Sequence, residues 1–157
     1  MPGVLRSWLT EPHSLTARCL RHCRSFRVRV LAQGCRLARD EAVGRACLPM
    51  REVLLECDGV PVIFARSVLS SPRSGRLGAW FAGLGARSLG SLLFRYPGFV
   101  RDEIEYLCLD ARHPLYRRVC AVAGAAPCFW ARRSRHHLGA GSVLVTEVFL
   151  PAIAALA

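Results

Sequence analysis

The sequence contains no lysine: all 22 basic residues among its 157 are arginine. That absence removes chemistry. A Schiff base on a lysine amine is impossible, which excludes one class of carbon–carbon lyases. A P-loop, which needs its lysine, is excluded as well. The eight cysteines form no CxxC, and no histidine pair at finger spacing follows Cys19 and Cys23. His136 and His137 are adjacent, so on a strand they point to opposite faces and make poor co-ligands. The cysteines therefore read as reduced, mostly buried small hydrophobes. GxSxG, HExxH and a glycine-rich phosphate loop after a strand are all missing. GLGARSLG is glycine-rich, but it falls between two predicted helices, where a turn that lets backbone approach a neighbour is the simpler reading. No uncharged run spans a bilayer: the longest, Val119–Ala131, is broken by Gly124 and Pro127. The opening MPGVLRSWLTEPHSLTARCL lacks the apolar core of a signal peptide. A soluble, cytoplasmic protein is expected.

What is present suits one globular domain over residues 1–157. Hydrophobic residues make up 52%, enough to bury a core without disulfide staples. The net charge of +11 points to anionic partners. A nucleic-acid reading needs one continuous basic face with stacking aromatics. The arginines are scattered, densest at Arg132, Arg133 and Arg135, and aromatics are only 8%. No nucleic-acid partner is expected.

Periodicity supplies the elements. Ser14–Arg24 reads as a helix with Ser14 or Thr16 as N-cap. Phe26, Val28 and Val30 alternate with Arg27 and Arg29, a strand with one wet face, followed by a loop containing Gly34, Asp40 and Gly44. Met50–Cys57 and Val60–Val68 flank Asp58-Gly59, the strongest hairpin signal in the chain. After the polar stretch SSPRSGR come two short helices, Leu77–Leu84 and Leu89–Phe94, then an alternating strand over Val100–Cys108. Asp110–Ala126 reads as a helix or an irregular insertion. Phe129–His137 and Ser142–Leu150 form a last hairpin around Gly139-Ala140-Gly141, and the apolar tail Pro151–Ala157 packs down. The expected class is α+β: one antiparallel sheet of about six strands with helices packed beside it.

Two charges stand out. Arg51 shares its strand face with Val53, Leu55 and Cys57, while Glu52 and Glu56 share the other with Leu54, so Arg51 and not the glutamates is expected to point inward. A charge among apolar neighbours is costly unless paired, and the arginine fork suits a carboxylate. Glu147 shares its face with Val143, Val145 and Phe149. The ionised form is costly there unless a cation answers it, which is how a general acid or a partner for a phenol is made. The pattern leaves two options open: the two residues pair with each other, or they hold a ligand between them. Arg66, with Val62, Phe64 and Val68 on its face, is either a structural arginine or a second anion anchor. One of Arg132 and Arg133 is expected to be solvated, since strand neighbours face opposite ways.

Several segments taken together carry a resemblance. REVLLECDGVPVIFARSV, LGARSLGSLLF, RDEIEY and WARRSRHHLGAGSVLVTEVFLPA, with WLTEPHSLT near the start, resemble the chorismate lyase family in order and spacing from Trp8 to Pro151. The resemblance implies a single antiparallel sheet with helices and a buried ligand site closed by flaps. It implies conversion of chorismate to 4-hydroxybenzoate and pyruvate, on the usual route to ubiquinone; aromatisation chemistry of this kind requires neither metal nor organic cofactor, and a monomer is expected. It places Arg51 on the ring carboxylate, Glu147 at the oxygen on the opposite end of the ring, Leu89 at a backbone contact and Leu15 on a flap. The competing expectation is a non-catalytic small-molecule sensor, since effector domains of some bacterial transcription regulators resemble this fold and fold does not fix function. Those regulators carry a helix-turn-helix ahead of the sensor, which the short N-terminal segment here is not expected to hold.

Overall fold

The computed structural model describes residues 2–40, 44–71 and 75–156, with backbone alone for 38–40, 44–45 and 91–92. Part of the polar 70–76 stretch therefore lies outside the described residues. Two helices open the chain. The first, α1 (Gly3–Leu9), was not foreseen; it has no side-chain cap, and what fixes it is the burial of Trp8 and Leu9. In α2 (Leu15–His22), Ser14 Oγ accepts from the Ala17 N–H and leaves Leu15, Thr16 and Cys19 on the buried face.

Strands β1 (Phe26–Asp40), β2 (Gly44–Cys57) and β3 (Val60–Leu69) follow as an antiparallel meander. Asp58 and Gly59 between β2 and β3 both take positive φ, 50° and 81°, the requirement of a type I′ hairpin turn. The Asp58 carboxylate also accepts from the backbone N–H groups of Arg24 and Ser25, which fastens the start of β1 to the turn. Helices α3 (Gly75–Ala82) and α4 (Leu89–Arg95) lead to two short strands, β4 (Val100–Arg101) and β5 (Glu105–Leu109). Then come α5 (Tyr116–Ala123), the hairpin β6 (Phe129–Leu138) and β7 (Gly141–Phe149), and a 3-10 turn, Pro151–Ala155, that buries Ile153. The described residues form a seven-stranded sheet in the order β1-β2-β3-β7-β6-β4, with β5 also on β6. The α+β expectation holds, with one strand more because Val100–Cys108 is split in two.

Three expectations need correction. The expected loop around Gly34, Asp40 and Gly44 is instead a long paired arm in which β1 and β2 run on to the Asp40–Gly44 pair, while residues 41–43 lie outside the described residues. A bulge between Val30 and Ala32 swaps which residues face which side, so the alternation that marks Phe26–Val30 does not continue in phase. Leu37 on the arm is 71% exposed, while Gln33 Nε2 donates to the Ala82 carbonyl at the end of α3. The cysteines were read as reduced and mostly buried, but only Cys19 and Cys57 are buried. Cys35 and Cys47, diagonal neighbours on the arm with Cα atoms 5.4 Å apart, are joined as a disulfide. Finally, Glu52 and Glu56 were expected to face outward. Both sides of the sheet are covered, and both glutamates are buried with Leu54.

Coverage differs between the two sides. On one, α1, α2 and the C-terminal turn pack on Val53, Leu55, Ile63, Ala65 and Phe149, while α3 and α4 pack on Leu69, Val143 and Val145. On the other, α5 packs on Leu54, Phe64, Ala131 and Val148.

Candidate active site

Cross-strand register decides which side chains meet. Arg51 opposes Ser67, and Ser67 opposes Val145; Val53 opposes Ala65, and Ala65 opposes Glu147. Arg51 and Glu147 therefore share one face of the sheet, two strands and two residues apart. Standard sheet spacings make that about 10 Å across and about 7 Å along. Between their Cα positions the floor is small: Ala65, Ser67 and Val145. The two charges do not pair with each other.

Arg51 is 1% exposed. Its Nη2 donates to the carbonyls of Gly85 and Arg87, at 2.7 and 2.9 Å. Gly85 holds φ of +56°, the left-handed conformation that glycine adopts without strain, and so the α3–α4 loop turns back over the arginine. Arg51 Nε is buried with no partner. No carboxylate of the described residues pairs with this guanidinium, and burial pushes its proton affinity down. A buried cation with an idle donor is an expensive group to keep unless something else completes it.

Glu147 is answered differently. Its side chain is 16% exposed, and Oε2 accepts from Arg132 Nε at 2.6 Å. Arg132 is buried, whereas Arg133 pairs at the surface with Glu105, so one of the two neighbours is inward and the other outward. The remaining Arg132 donors reach the carbonyls of Glu11 and His13, in the segment just before α2. Arg132 was not singled out from the sequence, yet a signal existed. Leu138 and Gly141 close the β6–β7 turn, and six residues back from each stand Arg132 and Glu147.

The four sequence-derived candidates Arg51, Glu147, Leu15 and Leu89 come to the same covered face. Leu15, first residue of α2, packs with Val53, Ala65 and Phe149 on one side of Glu147. Leu89, first residue of α4, packs with Val143 and Val145 on the other. The two helices are joined by a 2.5 Å hydrogen bond between Thr16 Oγ1 and Ser88 Oγ. Arg66 is not brought there. It opposes Glu52 on the far face, where its Nη2 lies 2.5 Å from Glu52 Oε1 and Arg118 Nε lies 2.7 Å from Oε2.

Three further polar groups share the covered face on its β6 side: Ser134, His136 and, opposite His136, Arg101. His136 hydrogen-bonds Ser134 Oγ at 3.1 Å. Burial, with help from Arg101 and Arg132, pushes its pKa down to about 4, so the imidazole is neutral at pH 7. Cys19 on α2 lies close to Cys57 and Glu147, and burial pushes its thiol up to about 11, which makes it inert rather than nucleophilic. The described residues contain no group of three or more His, Cys, Asp or Glu side chains that could hold a metal. No described helix is long and apolar enough to cross a membrane.

A covered antiparallel sheet of this kind is the fold of bacterial regulator effector domains. The effector domain of PhnF from Mycobacterium smegmatis superposes with a TM-score of 0.59 at 18% identity, covering 88% of this chain and 89% of that one. The C-terminal domain of the histidine utilization repressor from Pseudomonas syringae pv. tomato gives 0.57 at 9% identity, covering 82% and 93%. At such identities the likeness concerns fold alone. Sequence comparison goes further: the family model described as chorismate lyase matches residues 1–155, and the chain belongs to that family. A relative from Dechloromonas aromatica, named "Probable chorismate pyruvate-lyase", is 61% identical over 158 residues, covering 98% of this chain and 90% of the relative. One of the same name from Aromatoleum aromaticum is 48% identical, covering 98% and 88%.

Proposed function

We propose that the protein is a chorismate pyruvate-lyase that converts chorismate to 4-hydroxybenzoate and pyruvate, the first committed step toward ubiquinone. The observation that carries the reading is Arg51: a buried guanidinium with an unpartnered Nε and no carboxylate partner among the described residues, on the same face as Glu147. Family membership supports this reaction, and the face carries groups suited to its substrate.

Arg51 would take the ring carboxylate through the fork that the protein leaves incomplete. Glu147, fixed by Arg132, would face the hydroxyl at the far end of the ring. Leu15 and Leu89 would close over the ring from α2 and α4, with Leu89 meeting the ligand through its backbone. The ether bond between the ring and the enolpyruvyl oxygen breaks, and the hydrogen on the hydroxyl-bearing ring carbon leaves. The C–O pair leaves with the enolpyruvyl oxygen, which becomes the pyruvate carbonyl, and the C–H pair stays in the ring as the third double bond, so atoms and electrons balance without a co-reactant. Aromatisation drives it, and the protein's task is to position the dianion and stabilise charge as the bond breaks. That hydrogen either passes to Glu147 or transfers directly to the enolpyruvyl methylene. Running the reaction in deuterium oxide separates the routes, because passage through Glu147 puts solvent deuterium into the pyruvate methyl and direct transfer does not.

The proposal includes a single-domain, monomeric enzyme acting in the cytoplasm. Incubation with chorismate, with 4-hydroxybenzoate followed by absorbance and pyruvate by a coupled assay, is the test. Equal release of both products is expected. Binding without turnover would instead support the sensor reading that the effector-domain fold allows.

A further inference from the structure

Chorismate carries two carboxylates, and one buried arginine accounts for only one of them. Arg66, the second anion anchor suggested by the strand pattern, is occupied by Glu52 on the opposite face. Three strand arginines with described side chains lie on the covered face: Arg51, Arg132 and Arg101. Arg132 is matched by Glu147. Arg101 is not matched by any carboxylate of the described residues. It is half-buried, its Nη2 donates to the Pro12 carbonyl at 2.6 Å, and its guanidinium carbon sits 5.3 Å from the centre of the Phe94 ring. It lies close enough to Glu147, Tyr106 and Arg132 to feel their charges, and burial disfavours its cation.

The chemistry of the substrate says where the second anion must fall. The enolpyruvyl ether is attached next to the hydroxyl-bearing carbon. Its carboxylate therefore lies at the Glu147 end of the ring, away from Arg51 and off to one side. The β6 side offers Arg101, with neutral His136 and Ser134 beside it. Resting on the lyase reading above, we infer that Arg101 receives the enolpyruvyl carboxylate, so that Arg51 and Arg101 together select a dicarboxylate over the monocarboxylate product. Because the product has lost that second anion, this arrangement also loosens the site once the ether bond is broken.

Binding of two probes to the full chain by calorimetry tests this without turnover: 4-hydroxybenzoate, and 3-(carboxymethoxy)-4-hydroxybenzoate, which keeps an ether-linked second carboxylate but cannot aromatise further. Arg101→Met is expected to weaken the dicarboxylate at least about tenfold, the effect of losing a charge-assisted hydrogen bond, and to leave 4-hydroxybenzoate within about twofold. Arg101→Gln keeps a donor for Pro12 but no charge, and is expected to behave like Arg101→Met; it carries the same comparison should the methionine variant fail to fold. Arg101→Lys is expected to recover part of the loss. Equal weakening of both probes would mean that Arg101 acts through its hold on Pro12, and unchanged dicarboxylate binding would mean that it touches no anion; either overturns the assignment. A native protein that discriminates the two probes but leaves chorismate intact would sink the lyase reading and leave the role of Arg101 standing.

Discussion

The two faces of the sheet treat buried charge in opposite ways. On the α5 face, Glu52 is 3% exposed and receives both Arg66 and Arg118, so the charges are settled within the protein. On the other face, Glu147 is settled by Arg132, but among the described residues no carboxylate pairs with Arg51 or Arg101. Desolvation makes an unpaired cation expensive, so a fold that keeps one spends stability that an apolar residue would have saved. The difference teaches how to separate structural arginines from binding ones: burial alone does not, and completeness of the partner set does.

The largest effect should come from the partnered group that faces the reacting end. Glu147→Gln keeps an acceptor for Arg132 and should fold, while kcat falls about 10²- to 10⁴-fold, the range for loss of an acid/base group; steady-state assays of 4-hydroxybenzoate release check it. Native-like rates would remove Glu147 from the mechanism. On the opposite face the effect should be on stability. Glu52→Leu leaves Arg66 buried against nothing and should cost about 3–5 kcal/mol in urea unfolding. Replacing both as Glu52→Leu with Arg66→Met should recover most of that loss and leave turnover per folded molecule unchanged.

A smaller effect follows from His136. Its pKa in the fold, about 4, lies below the ordinary 6.5. Between those values the unfolded chain takes up a proton that the fold refuses. The contribution is therefore complete above pH 6.5 and is lost as pH falls toward 4, about 3 kcal/mol in all. His136→Leu should flatten that part of the stability-against-pH curve; an unchanged slope would show that His136 is not the group responsible. Least of all, Ser14→Ala removes the α2 cap and should lower stability by about 1 kcal/mol in thermal unfolding.

Much of this was legible in the chain, and what was not has identifiable causes. The α2 helix, the Asp58-Gly59 hairpin and the β6–β7 hairpin announce themselves through a cap residue, a turn dipeptide and period-two alternation. Helix α1 carries no cap and no clean period, and only the tertiary burial of Trp8 fixes it. The long arm of β1 and β2 was hidden by the bulge after Val30, by Gly34 and by Pro49, each of which reads locally as an interruption. Glu52 and Glu56 were placed outside because alternation of charge and apolar residues looks the same whether the second face meets water or an ion-paired helix. At the site, Arg51 and Glu147 could be found because each is a lone charge on an apolar strand face. Arg101 could not, because alternation over Val100–Cys108 puts it with Glu103 and Glu105 on a charged face, and the break between β4 and β5 that ends that phase has no local signal.

The central claim is that Arg51 is left incomplete for the ring carboxylate of the ligand. Titration of 4-hydroxybenzoate into the native protein and Arg51→Met tests it most directly. At least a hundredfold loss of affinity is expected in the variant, about 3 kcal/mol. Equal affinity in the two proteins would contradict it.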